Sequence, residues 1–335
     1  MTLSQTAILT KQIITISISL LILGLVSFIG YKIWYSNYLS HLPPVEEKPD
    51  TKFGLLPMPD FPQSSVSSSN FSYSIDTSTG NLPKVGTGTD FEKIIKVYFI
   101  TKTFATLLSS ENSKILAEKF NIKSQPQIIS DTRYRFEDNG KSLTVDLDSG
   151  NFAFQKEAAI PDSEGLEDDK KLVADFEKNL QNLSVLKEDL LSGRSKILRQ
   201  KSGSLAQISL WPKSIENKLI LTPQFDVSPV NAKVYKSADN LENYISLNFT
   251  YFPIDTSTFA TYPIKTSEQA LEDLKSGKGV VVIESAKSQV SITSVYLSYY
   301  FSENYTPYLQ PIFVFEGPHF VAYVPAISSE FVGAK

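Results

Sequence analysis

Asp146 and Asp148 stand two apart in the stretch DLDSGN, and Glu316 and His319 flank Gly317-Pro318. These residues come nearest, by type and spacing, to doing chemistry. Two carboxylates at alternate positions of a strand share a face, and with Gly150 behind them they outline the start of a calcium loop. The outline stops there, because glycine stands where a third ligand belongs and no bidentate glutamate follows. A solvated hairpin turn accounts for the same residues. A carboxylate and an imidazole beside a turn can exchange protons with a substrate. However, neither Gly-x-Ser-x-Gly nor His-Glu-x-x-His occurs in the chain, so Glu316 and His319 are expected at a hairpin tip. His41 falls in a proline-rich stretch and is expected to be exposed. Gly86-Thr87-Gly88 and Gly277-Lys278-Gly279 are too short to cradle a phosphate. The sequence therefore assigns no catalytic, cofactor-binding or metal-ligating residue, and the chain is read as a non-enzyme.

Composition narrows the classes further. The 335 residues carry a net charge of −4 and include no cysteine and two histidines. Without cysteine there is no disulfide, no lipid attachment through an N-terminal Cys, no Cys-ligated zinc, no Fe–S cluster and no thiol nucleophile. The acidic balance gives no field to attract nucleic acid. Phe (21) and Tyr (16) are abundant, and with frequent Ser, Thr and Asn they suit sheet cores and sheet surfaces.

Positioning begins with the run from Ile13 to Tyr31, IITISISLLILGLVSFIGY, uncharged between Lys11 and Lys32. Nineteen helical residues at about 1.5 Å each reach ~28 Å, close to the hydrocarbon core of a bilayer. The run is longer than the apolar centre of a signal peptide, and bulky Tyr31, Trp34 and Tyr35 follow it in place of a cleavage site. It is read as a single transmembrane helix with an aromatic belt. The flanking lysines nearly balance. The short N-terminal tail, the missing cysteines and the Ser/Thr/Tyr-rich remainder favour a cytoplasmic N-terminus and an extracytoplasmic C-terminal domain. With no residue more polar than Thr or Ser inside it, the span shows no sign of a transport path.

Residues 36–70 contain Pro43, Pro44, Pro49, Pro57, Pro59 and Pro62 and a serine run, which predicts an extended stalk. Residues 71–165 read as a first α+β module. Phe71, Tyr73 and Ile75 alternate with polar residues, KVYFI ends at Ile100, and a helix over 103–120 carries Phe104, Leu107, Leu108, Ile115, Leu116 and Phe120. Asn121 fits a left-handed cap. Three strands follow over 127–136, 143–147 and 152–155, joined at Asn139-Gly140 and Ser149-Gly150. The acidic run within 161–171 reads as a domain boundary and a solvated linker. Residues 166–335 read as a second, larger region, with a helix over 172–191 and then a long all-β stretch. Its third helix opens at Thr266 with Gln269 completing a capping box, and Gly277 ends it. Strands over 280–283, 290–301, 312–316 and 319–325 close the chain. A helix followed by antiparallel sheet thus recurs three times, and the Asp-turn segments 75–82 and 147–152 hint at duplication. The tyrosine-dense stretch from Tyr299 to Tyr308 is a candidate protein-contact surface.

The Asp-x-Gly turns beside single helices resemble the PepSY-like modules of bacterial extracytoplasmic proteins. YPIKTSEQALEDLKSGK, beginning at Tyr262, looks like the helix that opens such a module. VYLSYY from Val295 and LQPIFVFEG from Leu309 resemble the closing sheet of the YycH/YycI regulators. The resemblance covers the last 80 or so residues and, more loosely, 71–156. It implies an α+β protein with one N-terminal transmembrane helix and two or three helix-plus-antiparallel-sheet modules. It also implies a non-enzymatic function, in which the extracytoplasmic domain binds and regulates another envelope protein such as a sensor kinase. Two other readings stay open on the residues themselves: a hydrolase acting on wall polymer, and a structural cell-surface component.

Overall fold

A computed structural model describes residues 3–41, 48–86, 88–157, 165–200 and 204–333. Pro43, Pro44, Thr87 and the opening of the acidic run, Glu164 included, lie outside them. The chain divides into two units, residues 1–48 and 49–335.

The first unit is helix α1 (Leu3–His41), whose stretch Ile16–Tyr38 is long and apolar enough to cross a membrane. That stretch runs past Tyr31 because Ile33, Trp34, Tyr35 and Tyr38 continue the apolar surface. Rings four residues apart stack along it, Tyr31 on Tyr35 at 5.8 Å and Trp34 on Tyr38 at 5.7 Å.

The second unit opens with β1 (Ser72–Ile75), β2 (Ile94–Ile100) and α2 (Ser109–Lys119). Next come β3 (Gln127–Ser130), β4 (Arg133–Asp138), β5 (Lys141–Asp146) and β6 (Phe152–Lys156). Then α3 (Asp169–Asn182) and α4 (Glu188–Leu191) precede β7 (Arg194–Arg199), β8 (Leu205–Trp211), β9 (Ile220–Leu221), β10 (Val230–Tyr235) and β11 (Tyr244–Phe249). Last are β12 (Ile254–Pro263), α5 (Ser267–Lys275), β13 (Val280–Ile283), β14 (Gln289–Ile292), β15 (Ser294–Tyr300), β16 (Tyr308–Gly317) and β17 (Phe320–Pro325). The protein is mixed helix and sheet, with sheet dominant.

Two large sheets organise these elements. An eight-stranded antiparallel sheet runs β3-β4-β5-β6-β11-β10-β8-β7. Its apolar face packs α2, α3 and α4 through Leu116, Phe120, Phe176, Leu180 and Leu190 against Phe136, Leu143, Phe154, Ile208 and Leu247. The second sheet runs β12-β2-β16-β15-β9, with β17 and β13 branching from β16. It buries Phe313, Phe315, Phe320 and Val324 with Leu271 and Leu274 of α5. Because β2 pairs with β12, all eight strands of the first sheet lie in the chain between two neighbouring strands of the other, and β9 returns to that other sheet partway through.

Three expectations about segment borders are corrected. The run within 161–171 is no domain boundary, since β6 before it pairs with β11 far beyond it; the regions 71–165 and 166–335 share one sheet. Residues 36–70 are no free stalk. Residues 36–41 are helical, and the chain from Pro49 is strapped to the domain. Leu56 is fully buried, the Tyr262, Tyr300 and Gln310 side chains donate to the Gly54, Asp60 and Pro57 carbonyls, and Ser68 Oγ donates to Leu274 O at 2.7 Å. The prolines do withhold donors, but their segment's carbonyls are what the sheet holds. The helix expected from residue 103 starts at Ser109, where Ser109 Oγ accepts from Thr106 N at 2.9 Å. Phe104, Leu107 and Leu108 precede it on the surface.

Smaller differences follow the same logic. The helix over 172–191 breaks at Ser184, held at φ +64°. The strand over 290–301 breaks at Thr293. Strands β7 and most of β12 lack a strong apolar alternation and were not expected. The turn segments 75–82 and 147–152 are not equivalent, because β1 pairs in parallel with β14 whereas 147–151 closes a hairpin. The capping box at Thr266 and Gln269 forms, and Asn121 takes the left-handed conformation at φ +58°.

Candidate functional site

Alternation in the eight-stranded sheet separates two chemistries. Ala206, Ile208 and Leu210 of β8, Ala232 and Val234 of β10, and Leu247 and Phe249 of β11 face the helices. The residues between them face the other way and are polar. Register lines them up: Arg135, Thr144, Ala153, Asn248, Asn231 and Ser209 form one row across six strands, and Ser142, Gln155, Ser246, Lys233 and Gln207 form the next. A pleated sheet with period two makes such rows wherever one face is apolar.

Over this face lies an open groove of about 730 Å³, floored by Gln155, Asn231, Ser246 and Asn248 and edged by Lys233, Arg133 and Glu303. Its floor is partly preorganised. Asn231 is nearly buried, donates to Ser228 O at 2.6 Å and accepts from Gln207 Nε2 at 3.3 Å. Ser209 Oγ is buried and has no hydrogen-bond partner among the described residues. A cleft of about 270 Å³ continues the groove, sharing Arg133, Asp146, Asn151, Thr250 and Glu303 and adding Lys102 and Tyr305.

The turn from Asp146 to Asn151 lies where these recesses meet. On its far side is a third recess, about 480 Å³, between that turn, α2 and the α3–α4 connection. The two aspartates thus line concave surface, but each already has structural work. Asp146 Oδ1 accepts from Ser149 N and Ser149 Oγ at 2.9 and 2.6 Å, closing the turn. Asp148 Oδ1 accepts from Ala105 N at 2.9 Å, pinning the loop before α2. Asn151 Oδ1 accepts from Tyr251 N at 2.9 Å, which ties the turn to the end of β11. Among the described residues no group of three or more His, Asp or Glu is placed to hold a metal ion.

Glu316 and His319 are elsewhere, at the tip of the β16–β17 hairpin. Gly317 pairs with Phe320, so Pro318-His319 is a two-residue turn, with His319 at φ +55°. Glu316 Oε2 accepts from Tyr296 Oη at 3.2 Å, and the burial of that phenol together with the Glu316 charge pushes its pKa well up. His41 ends α1 in the other unit.

Most aromatic residues of the candidate contact stretch from 299 to 308 turn inward, while Glu303 and Asn304 stay exposed. Tyr299, Tyr300 and Phe301 are buried, and the Tyr299, Tyr300 and Tyr305 hydroxyls donate to the Lys96, Asp60 and Ile100 carbonyls. A phenol inside a sheet stack must find an acceptor, and these found backbone. The groove residues Gln155, Gln207, Asn231, Lys233 and Asn248 escaped the sequence reading. Their signal is ordinary: polar residues alternating with apolar ones, which any solvated sheet face shows.

No family model matches the chain, and no curated protein matches it. Among solved structures, an uncharacterised protein from Eubacterium rectale ATCC 33656 is similar, with a TM-score of 0.31 and 10% identity over 77% of this chain and 84% of that one.

Proposed function

We propose that the chain is a single-span membrane protein, its N-terminus cytoplasmic and residues 49–335 extracytoplasmic, whose domain binds and restrains another envelope protein, such as a sensor kinase, without catalysis. The observation that carries this reading is the polar face of the eight-stranded sheet, turned away from its helices and open along the groove. Every helix of that layer packs on the opposite face, leaving rows of amide and hydroxyl side chains over a broad open groove. Such groups supply directional hydrogen bonds, about one per 100–200 Å² in a protein interface. The apolar helix supports attachment to a membrane by its length and composition. The order helix-then-strands, met from α2, from α3 and from α5, supports the likeness to stacked PepSY-like modules in YycH/YycI-type regulators.

The test is crosslinking in intact membranes of the full chain and of a Gln155→Arg/Asn248→Arg variant, which alters the groove floor and leaves the core alone. The parent chain should yield one specific crosslinked partner and the variant should lose it while keeping its thermal midpoint. Equal crosslinking by both, or none by either, would count against the reading. A second reading, a hydrolase of wall polymer, draws on Asp146 and Asp148 lining recesses. It requires that Asp146→Asn abolish release of soluble wall fragments by the purified full chain.

A further inference from the structure

The segment from Phe104 to Leu108 is an exposed apolar loop held in shape by its own hydrogen bonds. Phe104 and Leu108 are 67% and 66% exposed, and Leu107 projects fully, at 103%. No charge occurs between Lys102 and Glu111. Exposed apolar residues cost nothing unusual singly, but a contiguous cluster marks a surface that something covers.

The backbone bears on what that is. Ala105 N donates to Asp148 Oδ1, Thr106 N to Ser109 Oγ, and Leu108 N to Thr106 Oγ1. Ser109 N donates to Thr106 O, and Asn112 N to Leu108 O. These bonds satisfy the N–H groups of Ala105, Thr106 and Leu108, which lowers the cost of moving this loop from water into the interfacial layer of a bilayer. Beside it, Lys102 Nζ lies 5.2 Å from the Phe104 ring and 5.7 Å from the Tyr305 ring. A cation over aromatic rings at the edge of an apolar patch is the arrangement met at lipid headgroups.

Chain length supplies the remaining constraint. Seven residues, 42–48, connect α1 to the domain, and seven residues reach at most about 25 Å. The chain then meets the domain at β12, where Thr51 N donates to Thr261 O and Thr261 N to Asp50 Oδ1. Thr261 is paired with Lys96 of β2, and the apolar loop begins just past the end of β2. Four residues of strand, about 13 Å, separate the register of the tether's entry from the strand end that leads into the loop.

We propose that Phe104, Leu107 and Leu108 dock into the surface of the bilayer that α1 crosses, with Lys102 among the headgroups, so that the domain is held at two points. This rests on the reading of α1 as a membrane anchor. A cysteine-free chain permits single labels. The full chain carrying Ala105→Cys, Leu191→Cys or Leu23→Cys would be labelled with an environment-sensitive fluorophore and reconstituted in vesicles of phosphatidylcholine with phosphatidylglycerol. Quenching by lipid-borne nitroxide and by aqueous iodide is then compared.

The expected result is lipid quenching at positions 23 and 105, with iodide quenching at 105 at least about threefold below that at 191. Adding Leu107→Glu to the Ala105→Cys chain should return that label to water. If position 23 is quenched by lipid but 105 behaves like 191, the docking is wrong and the anchor stands. If position 23 is open to iodide, the anchor reading fails and takes the docking with it. If 105 is protected from iodide without lipid quenching, and more so at higher protein-to-lipid ratio, a second copy covers the loop and the proposal is overturned.

Discussion

Glu242 gathers the ends of three elements. Its carboxylate accepts from Lys141 Nζ at 2.7 Å, Asn121 Nδ2 at 2.9 Å and Lys156 Nζ at 3.0 Å. These three donors hold its pKa down to about 2, from an ordinary 4.5. A depressed carboxylate stabilises the folded state fully above its unfolded pKa, and that contribution disappears as pH falls through the folded one. The protein should therefore lose stability from this group between about pH 4.5 and pH 2. The effect should be about 1 kcal/mol, small because the side chain is partly open to solvent. Urea midpoints measured against pH would check it: Glu242→Gln should flatten that part of the curve, and an unchanged slope would contradict the assignment. Gly193 makes a different point. A Cβ there would lie 1.9 Å from Trp211 O and 3.0 Å from Asp189 O, so the α4–β7 corner fits only glycine. Gly193→Ala should cost about 2–4 kcal/mol in the same measurement, whereas Gly165→Ala, with open space around it, should be nearly neutral.

At the scale of elements, the strap of residues 49–70 couples the chain beyond α1 to the closing sheet. Leu56 N donates to Phe331 O and Gly333 N to Leu56 O, each within 2.9 Å. Leu56→Ala removes a fully buried side chain and should cost about 2–4 kcal/mol. It should also speed amide exchange at Gly333 more than at core strand β16. Uniform speeding would mean that the strap unfolds only with the whole domain. The strap shows why parts of the fold could not be read. Its prolines correctly announce a segment outside the sheet ladders, but its partners are tyrosine hydroxyls some 200 residues away in sequence. Helix α2 is a second case. Phe104, Leu107 and Leu108 continue its apolar spacing, and a periodicity argument treats every apolar residue as core. The Thr266–Gln269 capping box was legible because both partners lie within one turn. The α3–α4 break was not, because the leucines continue through it while Ser184 turns left-handed.

For the whole molecule, the sequence reading recovers a mixed helix-and-sheet domain after an apolar N-terminal helix but not how its strands assemble. The units that begin with α2 and α3 join through β6 and β11 into one sheet, across the acidic run that reads as a border. Such pairings leave no local trace. The same is true of the groove, whose rows of Gln, Asn, Ser and Lys exist only once register sets six strands side by side. The apolar helix was readable because length and composition alone mark a stretch able to span a membrane.

The proposed function requires that this groove face outward from the cell and be occupied by a partner. Labelling of intact cells with a membrane-impermeant maleimide tests both parts, using full chains carrying Gln155→Cys in the groove or Glu268→Cys on the exposed first turn of α5. Position 268 should label promptly before lysis, with position 155 protected until the protein is solubilised and purified. Labelling of 268 only after lysis would contradict the outward orientation. Labelling of 155 in intact cells as fast as 268 would contradict occupancy of the groove.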